Sequence, residues 1–272
     1  MEIRTFPHSG RPGVGLKPRR EATRPLLPQH ARHCPVLEAG SALGFLVYPP
    51  LEKHEAFQVA YEGDGRYRFT FFLAAPDGKW GKFFTVITAL PVGSIGMMKQ
   101  DVEFHLPDPP IDADGAIRMA SAFVVAQDLG TPPGAITLRG ATNFRTPPGW
   151  DTVYSPVLNQ IDRPVAPALV VRVETDWYAH ESEFRYVLQA GEGLSGGHTM
   201  PVGQVFFVPR EEITLVESTE EEVAEIHRIR EEFVREKAAT KLTTRYGLQY
   251  SPHYARESRA RRLQGSPEPP EE

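Results

Sequence analysis

Short apolar runs separated by proline and glycine constrain this chain more than any other feature. The 272 residues include 26 prolines and 23 glycines, spread between the runs. Turn residues at such short spacing are typical of many short strands joined by tight connections. Such strands must bury one face against another sheet. The pattern therefore predicts an all-β core, an antiparallel β-sandwich, jelly roll or cupin-like barrel, followed by a C-terminal α-helix.

The clearest strand signal is a predicted hairpin. Residues 57–61 and 67–73 flank a Glu-Gly-Asp-Gly-Arg turn, in which glycine tolerates a positive φ. In the second run Tyr67, Phe69 and Phe71 alternate with other residues, so they share one face. This alternation predicts a half-buried strand.

Further apolar runs predict the remaining strands, with no helix between them. That order excludes an alternating arrangement of helices and parallel strands. The runs are residues 43–47, 82–90, 117–127, 135–138, 168–174, 184–189, 204–208 and 213–216.

The chain divides into four predicted segments. Residues 1–33 form a basic, proline-rich arm, expected to be extended and neither strand nor helix, because proline removes backbone donors. Residues 34–216 form the β-domain, residues 217–245 the helix, and residues 246–272 a flexible tail.

The predicted C-terminal helix has clear start signals. Ser218 is the expected N-cap and Glu221 completes a capping box. An apolar stripe follows, which either packs on the sheets or forms a dimer contact. Its members are Val223, Ile226, Ile229, Phe233 and Val234.

Composition narrows the choice of partners. The formal net charge is -5, which argues against nucleic acid or an anionic membrane as a partner of the whole surface. No apolar run reaches the ~18 residues that a membrane span needs, and the first residues do not resemble a signal peptide, so the chain is expected to be cytoplasmic. A single cysteine excludes an internal disulfide and a thiolate zinc site.

Common catalytic signatures are absent from the sequence. It contains neither a phosphate-binding loop, nor a dinucleotide fingerprint, nor a metalloprotease HExxH, nor a GxSxG elbow. Catalytic residues therefore stay unassigned, no cofactor is predicted, and whether the chain is an enzyme is left open.

Histidines provide the alternative hypothesis. His105, His180 and His198 lie in the β region, with Glu183 or Asp108 as a carboxylate partner. Two histidines and one carboxylate converging inside a barrel are typical of a non-haem iron site. Iron, manganese or zinc would then be the cofactor.

Two stretches resemble cupins. Residues 180–191 are similar to the first cupin motif, and residues 195–203, ending Pro-Val-Gly, are similar to the second. The first stretch has only His180 where cupins have an HxH pair. Three residues after Gly203, which ends the second stretch, this chain has Phe206 where cupins have histidine. The resemblance implies a cupin-like strand–turn–strand shape more than a metal centre.

A more specific resemblance covers roughly residues 34–215. The blocks are Asn-Phe-Arg-Thr-Pro-Pro-Gly-Trp at 143–150, Pro and Asn at 156 and 159, Thr-Asp-Trp at 175–177, and Pro-Val-Gly at 201–203. In order and spacing they resemble an uncharacterised bacterial family, a domain of unknown function with an FRTxPGW…PxN…TDW pattern. The resemblance implies a compact β-domain and brings no activity.

These blocks contain the candidate ligand pocket. A cation, aromatic faces and an amide suit a small anionic or ring-bearing ligand. The candidate residues are Arg145, Trp150, Asn159, Asp176 and Trp177. In the structural alternative, Arg145 and Asp176 form an ion pair that fixes this corner.

The leading hypothesis is a β-domain that acts by binding or assembly. The N-terminal arm or the C-terminal helix would then make homo-oligomer contacts. The alternative is a cupin-like, metal-dependent oxygenase or isomerase acting on a small molecule.

Overall fold

A computed structural model describes residues 2–21, 34–89, 99–126, 131–160, 168–243, 245, 247 and 249–264. The chain forms two compact units, Met1–Glu211 and Glu212–Glu272. The first is mostly antiparallel β-sheet and the second is mostly helical, which confirms the predicted fold class of an antiparallel β core with a C-terminal helix.

The first unit holds fifteen strands and two helices in its described residues. The strands are β1 (Arg4–Pro7), β2 (Phe45–Val47), β3 (Glu55–Gly63), β4 (Arg66–Ala74), β5 (Trp80–Ala89), β6 (Lys99–Phe104), β7 (Val124–Ala126), β8 (Ala135–Arg139), β9 (Thr142–Arg145), β10 (Trp150–Ser155), β11 (Ala168–Leu169), β12 (Val171–Val173), β13 (Glu183–Val187), β14 (Gly193–Gly197) and β15 (Gly203–Pro209). The helices are α1 (Pro35–Ser41) and α2 (Ala113–Ser121).

The strands form four open sheets in this unit. Their orders are β14-β3-β4-β5-β6, β12-β10-β15-β2, β11-β13-β8-β7 and β1-β9. Every pairing among the described strands is antiparallel, and none of these sheets closes on itself. The three larger sheets contribute side chains to one hydrophobic core. The architecture is therefore a set of open sheets around a shared core.

The predicted hairpin is confirmed as β3 and β4. Asp64 and Gly65 form the turn with φ values of 48° and 74°. Positive φ at both central residues gives the turn that best matches the twist of paired strands. Tyr67, Phe69 and Phe71 are buried on the predicted face.

Aromatic rings fill the centre of the core. Phe123 lies between Phe57, Phe69 and Phe71, with ring centroids 5.7, 6.1 and 5.5 Å away. Phe84 extends the cluster, 5.4 Å from Phe71. Offset packing of this kind adds to the gain from burying apolar area. These rings join α2 and β7 to the largest sheet.

The N-terminal segment belongs to the β-domain, which corrects the prediction of an arm without strands. Arg4–Pro7 pair with Thr142–Arg145 as β1 and β9. Arg11 donates to both carboxylate oxygens of Glu55, at 2.7 and 2.9 Å. A proline at the end of an edge strand costs no ladder hydrogen bond, so the segment can pair despite its composition. Residues 22–33 of the predicted arm lie outside the described residues.

The predicted strand at 117–127 is wrong over its first half. Residues 113–121 form helix α2, and Val124–Ala126 form a strand; residue 127 of the prediction lies outside the described residues. Asp112 caps the helix by accepting from the Gly115 N–H at 2.7 Å. Ala116 and Ala120 are buried at i, i+4 spacing, a helical period that the short apolar run concealed. The prediction that no helix lies between the strands is therefore also wrong.

Two other predicted strands need correction. Residues 168–174 divide into β11 and β12, which lie in different sheets. Residues 213–216 form no strand, and Ile213, Leu215 and Val216 are exposed. An apolar run becomes a strand only where a partner strand accepts its backbone hydrogen bonds.

The second unit is built on two helices, α3 (Glu220–Ala239) and α4 (His253–Gln264), and a short pair of strands, β16 (Leu242–Thr243) and β17 (Gln249–Tyr250). Thr219, one residue after the predicted Ser218, is the N-cap of α3, and Glu222 completes the capping box. The predicted flexible tail holds α4, which corrects that part of the prediction. Residues 265–272 lie outside the described part of the chain. No described helix is long and apolar enough to cross a membrane.

Candidate functional site

A network of charges holds one corner of the β-domain together. The carboxylate of Asp151, on β10, is buried, and it accepts hydrogen bonds from Arg172 on β12 and Arg210 after β15. The Arg172 Nε–Oδ2 distance is 2.6 Å and the Arg210 Nη2–Oδ1 distance is 2.6 Å. Burial alone would raise the pKa of Asp151, but the two arginines outweigh it and hold the pKa below its usual value. Three strand ends are thereby joined through one carboxylate.

Arg210 also fixes the segment that follows β12. Its Nη2 donates to Asp176 Oδ1 at 2.8 Å, and the Gly149 N–H donates to Asp176 Oδ2 at 3.0 Å. The bond from Arg210 lowers the pKa of Asp176. The Pro-Pro-Gly-Trp turn and the Thr-Asp-Trp block are therefore linked directly. The partner of Asp176 is Arg210, which corrects the predicted pairing with Arg145.

Beside this corner lies a cavity of about 400 Å³. Tyr154 of β10, Val171–Val173 of β12, and Glu183 and Arg185 of β13 form its walls. Residues of the connection between β12 and β13 complete the lining, including Trp177, Tyr178, His180 and Glu181. The volume lies in the range that holds a small molecule.

Three aromatic rings stand at this cavity in sequence order. Trp177 is 70% exposed and lies 5.7 Å from Tyr178, whose ring meets His180 at 5.1 Å. The Trp177 indole N–H donates to Glu174 Oε2 at 2.5 Å. We call Trp177, Tyr178 and His180 the aromatic rim. Exposed aromatic clusters next to a cavity are typical of binding sites.

Two carboxylates of the cavity have different environments. Glu181 accepts from the Ser9 N–H at 2.9 Å and from the Ser9 hydroxyl, and its other oxygen lies 3.1 Å from His8 Nε2. Glu183 lies 3.9–4.0 Å from the guanidinium groups of Arg139 and Arg185 and from the imidazole of His180. Within the described part of the chain, no hydrogen bond to the Glu183 carboxylate is found. Glu181 is thus a structural anchor, whereas Glu183 is open to a further donor.

Tyr154 contributes a buried hydroxyl to the cavity wall. The hydroxyl forms no well-aligned hydrogen bond in the described structure. Its polar neighbour, Ser182, donates to the Thr142 carbonyl at 2.6 Å and can still accept a hydrogen bond from Tyr154. Burial raises the pKa of Tyr154 to about 12; Ser182 opposes the shift and Glu183 adds to it. The hydroxyl has almost no solvent-accessible surface, so Tyr154 contributes packing to the cavity wall.

His8 links the N-terminal segment to Glu181. Its Nδ1 accepts from the backbone N–H groups of Gly10 and Arg11, at 3.1 and 3.2 Å. Neutral His8 therefore carries its proton on Nε2, towards Glu181. Burial lowers the pKa of His8; Glu181 opposes this shift, and Arg139 and Arg11 add to it.

We expect His8 to make the β-domain less stable in mild acid. Because the pKa of His8 is lower in the folded state, the unfolded chain takes up a proton first as the pH falls below about 6.5. The free energy of unfolding therefore falls over that interval, and His8→Gln removes this contribution. Urea unfolding of both proteins from pH 7.5 to 5.5 measures it, and equal pH slopes would contradict the assignment.

The predicted ligand residues are only partly brought together. Trp177 lines the cavity, Asp176 lies next to it in the charge network, and Trp150 begins β10 in the same corner. Arg145 is exposed at the end of β9, opposite Arg4. Asn159 has a φ of 57° and donates to Leu37 O and Ser41 Oγ at 3.2 and 3.1 Å, so it secures α1.

The predicted metal ligands do not converge. Nε2 of His180 faces Glu183 Oε2 at 3.9 Å, but His105 bonds to Thr85 Oγ1 at 2.9 Å and His198 to Leu51 O at 2.7 Å. Among the described residues, no three His, Cys, Asp or Glu side chains are close enough to hold a metal ion. The iron, manganese or zinc site of the alternative hypothesis therefore has no support in this part of the chain.

Most of the residues that line or brace the cavity were not predicted from the sequence. They are Asp151, Tyr154, Arg172, Tyr178, Glu181, Arg185 and Arg210. One signal was available: a carboxylate at 151, inside a strand-like Trp-Asp-Thr-Val-Tyr run, needs a cationic partner when it is buried. The identity of that partner depends on strand pairing, which the sequence does not state.

Comparison with protein-family models and with curated proteins identifies no relative of this chain. The chain matches no protein-family model, and no curated protein is significantly similar to it. The resemblances to the FRTxPGW family and to cupins therefore stay predictions. Fold and site define an open antiparallel β-domain with an aromatic-rimmed cavity.

Proposed function

We propose that the β-domain is a binding module for a small, neutral ring compound that carries hydroxyl groups, of the monosaccharide class. The observation that carries the proposal is the aromatic rim at the mouth of a cavity of about 400 Å³. A ring-bearing ligand is one of the two ligand types predicted from the sequence. We do not propose an anionic ligand, because Arg145 does not line the cavity, and the two arginines that do, Arg172 and Arg185, lie beside the carboxylates of Asp151 and Glu183.

The rim favours a ligand with an apolar ring face. The indole of Trp177 is mostly in water, where its large apolar surface is unfavourable. The C–H groups of a saturated sugar ring pack on an aromatic face through dispersion and weak C–H contacts. A bound ring would remove this surface from water without needing a hydrophobic ligand.

The charges of the wall favour a neutral ligand. Arg172 is paired with Asp151, Glu181 with Ser9 and His8, and Glu174 faces Arg210 at 3.7 Å. Both signs are present and mostly paired, so neither an anion nor a cation gains a large net attraction. Hydroxyl groups both donate and accept, which suits such a wall.

Two groups are placed to bind hydroxyls. The Glu183 carboxylate has capacity to accept, since its nearest cationic side chains lie 3.9–4.0 Å away. Nδ1 of His180 lies 2.5 Å from Glu181 O, so Nδ1 carries the proton and Nε2 is the acceptor. A ligand hydroxyl that donates to Glu183 would give this carboxylate the hydrogen bond that it lacks.

The test compares ligand stabilisation in matched tryptophan variants. A panel of monosaccharides and methyl glycosides is added to the full chain, and the free energy of unfolding is measured. At ten times its Kd, a ligand raises that free energy by roughly 1.4 kcal/mol. We expect Trp177→Ala to abolish this effect. Trp80→Ala, which removes another half-exposed tryptophan at a separate groove, leaves it intact.

Charged probes separate the ligand classes. Benzoate carries an anionic group on a ring. Tetramethylammonium is a cation without hydroxyl groups. Stronger stabilisation by either probe than by every neutral glycoside would contradict the proposal. No stabilisation by any member of the glycoside panel would also count against it. The cytoplasmic location and the bacterial family stay predictions from the sequence.

A further inference from the structure

The helix α3 exposes an apolar stripe along most of its length. Val223, Ile226, Ile229 and Val234 are each between 40% and 57% exposed. With about 100° between successive residues, these side chains lie on one side of the helix. A helix with such a stripe is stabilised when another surface covers it.

The neighbouring helix α4 covers only one flank of α3. The His253 ring lies 4.7 Å from Phe233, and His253 Nε2 lies 3.2 Å from Glu236 Oε2. Ile226 and Val234 lie outside the groove between the two helices. The stripe therefore stays open within the described residues of the second unit.

Charge is distributed unevenly along α3. Its first six residues contain four glutamates, Glu220, Glu221, Glu222 and Glu225, and no cation. After Phe233 the charge balance reverses, since Arg235 and Lys237 are accompanied by one acid, Glu236. Of the two cations, Lys237 lies on the side of the stripe and Arg235 on the side of Ala224. The stripe thus runs from an acidic end to a basic end.

We infer that α3 pairs antiparallel with α3 of a second copy of this chain. In that orientation the acidic end of one helix faces the basic end of the other, twice, because the contact is two-fold symmetric. A parallel pair would place the glutamate-rich ends of the two helices side by side, with Glu222 of each helix nearest the contact, which is unfavourable. Ile226, close to the centre of the helix, lies within the shared apolar contact.

The first test measures assembly. We expect sedimentation equilibrium of the full chain to show a dimer of twice 30.4 kDa. Ile226→Glu raises the dissociation constant of this dimer at least about tenfold. Ala224→Glu adds the same charge on the opposite side of α3 and leaves the Kd unchanged. Circular dichroism verifies that both variants keep their helices. A wild-type chain that stays monomeric at 200 µM overturns the inference, as does equal weakening by both variants.

The second test measures helix direction. In a Cys34→Ser background, single spin labels are placed at His227→Cys, near the middle of α3, and at Ala238→Cys, near its end. An antiparallel pair gives a clearly longer label-to-label distance at 238 than at 227, since each residue adds about 1.5 Å along each helix. Equal distances at both positions indicate a parallel pair and overturn the antiparallel assignment.

Discussion

Replacing Phe123 with alanine lowers the free energy of unfolding of the β-domain by about 3–5 kcal/mol. The Phe123 side chain has no exposed surface, and it contacts three other phenylalanine rings at 5.5–6.1 Å. Removing it deletes buried apolar area and leaves a cavity that rigid neighbours fill poorly. This is the largest stability loss we expect from a single side chain.

Phe72 provides the matched control. It lies on β4 with its side chain on the face opposite Phe71, and it is only half-buried. Phe72→Ala removes the same atoms from a site that water already reaches, so it costs less than half as much. Urea unfolding at neutral pH measures both variants. Equal losses would contradict the placement of Phe123 at the centre of the core.

Replacing Asp151 with alanine disrupts the charge network and lowers the free energy of unfolding of the β-domain by about 3 kcal/mol. The change leaves Arg172 and Arg210 without the carboxylate that joins them. We take the lower end of the range for buried ion pairs, because both guanidinium groups reach solvent. Because Arg210 also holds Asp176, we expect the variant to lose glycoside binding at the aromatic rim as well.

The pH dependence distinguishes this network from a packing effect. The pKa of Asp151 is lowered in the folded state, so its contribution is present above about pH 4 and is lost as the pH falls below that value. Asp151→Asn removes this pH dependence while keeping the shape of the side chain. Asp101→Ala, on the exposed face of β6, is the control and changes stability by less than about 0.5 kcal/mol. A similar loss for Asp101→Ala and Asp151→Ala would contradict the network.

The sequence predicted strands best where local chemistry specifies them. The β3–β4 hairpin follows from Asp64-Gly65 and from one alternating aromatic face. Strand β14, in contrast, reads Gly-Leu-Ser-Gly-Gly and has no strand-forming pattern. A Cβ on Gly196 would lie 2.3 Å from the Phe57 ring, so glycine is needed there by packing against β3. Requirements of this kind arise from tertiary contacts and leave no local periodicity.

The candidate site was predictable only in part for a similar reason. Trp177 and Asp176 stood out because they form a short block of unusual residues. Arg210 and Tyr154 lie far along the chain from each other, and strand pairing between β10 and β15 brings their segments together. Composition favoured an arm at the N-terminus, whereas His8 and Arg11 are anchored by Glu181 and Glu55. Which strands pair, and therefore which residues form the site, depends on the topology of the sheets.

Tryptophan-selective ¹⁵N labelling tests the proposed binding site most directly. The chain has three tryptophans, so three indole N–H signals are expected, and a Trp177→Phe variant assigns one of them. When a stabilising methyl glycoside is added, the Trp177 signal should move with the binding curve while the Trp80 signal stays in place. Movement of the Trp80 signal alone, or of no indole signal while the ligand binds, would contradict a site at the aromatic rim.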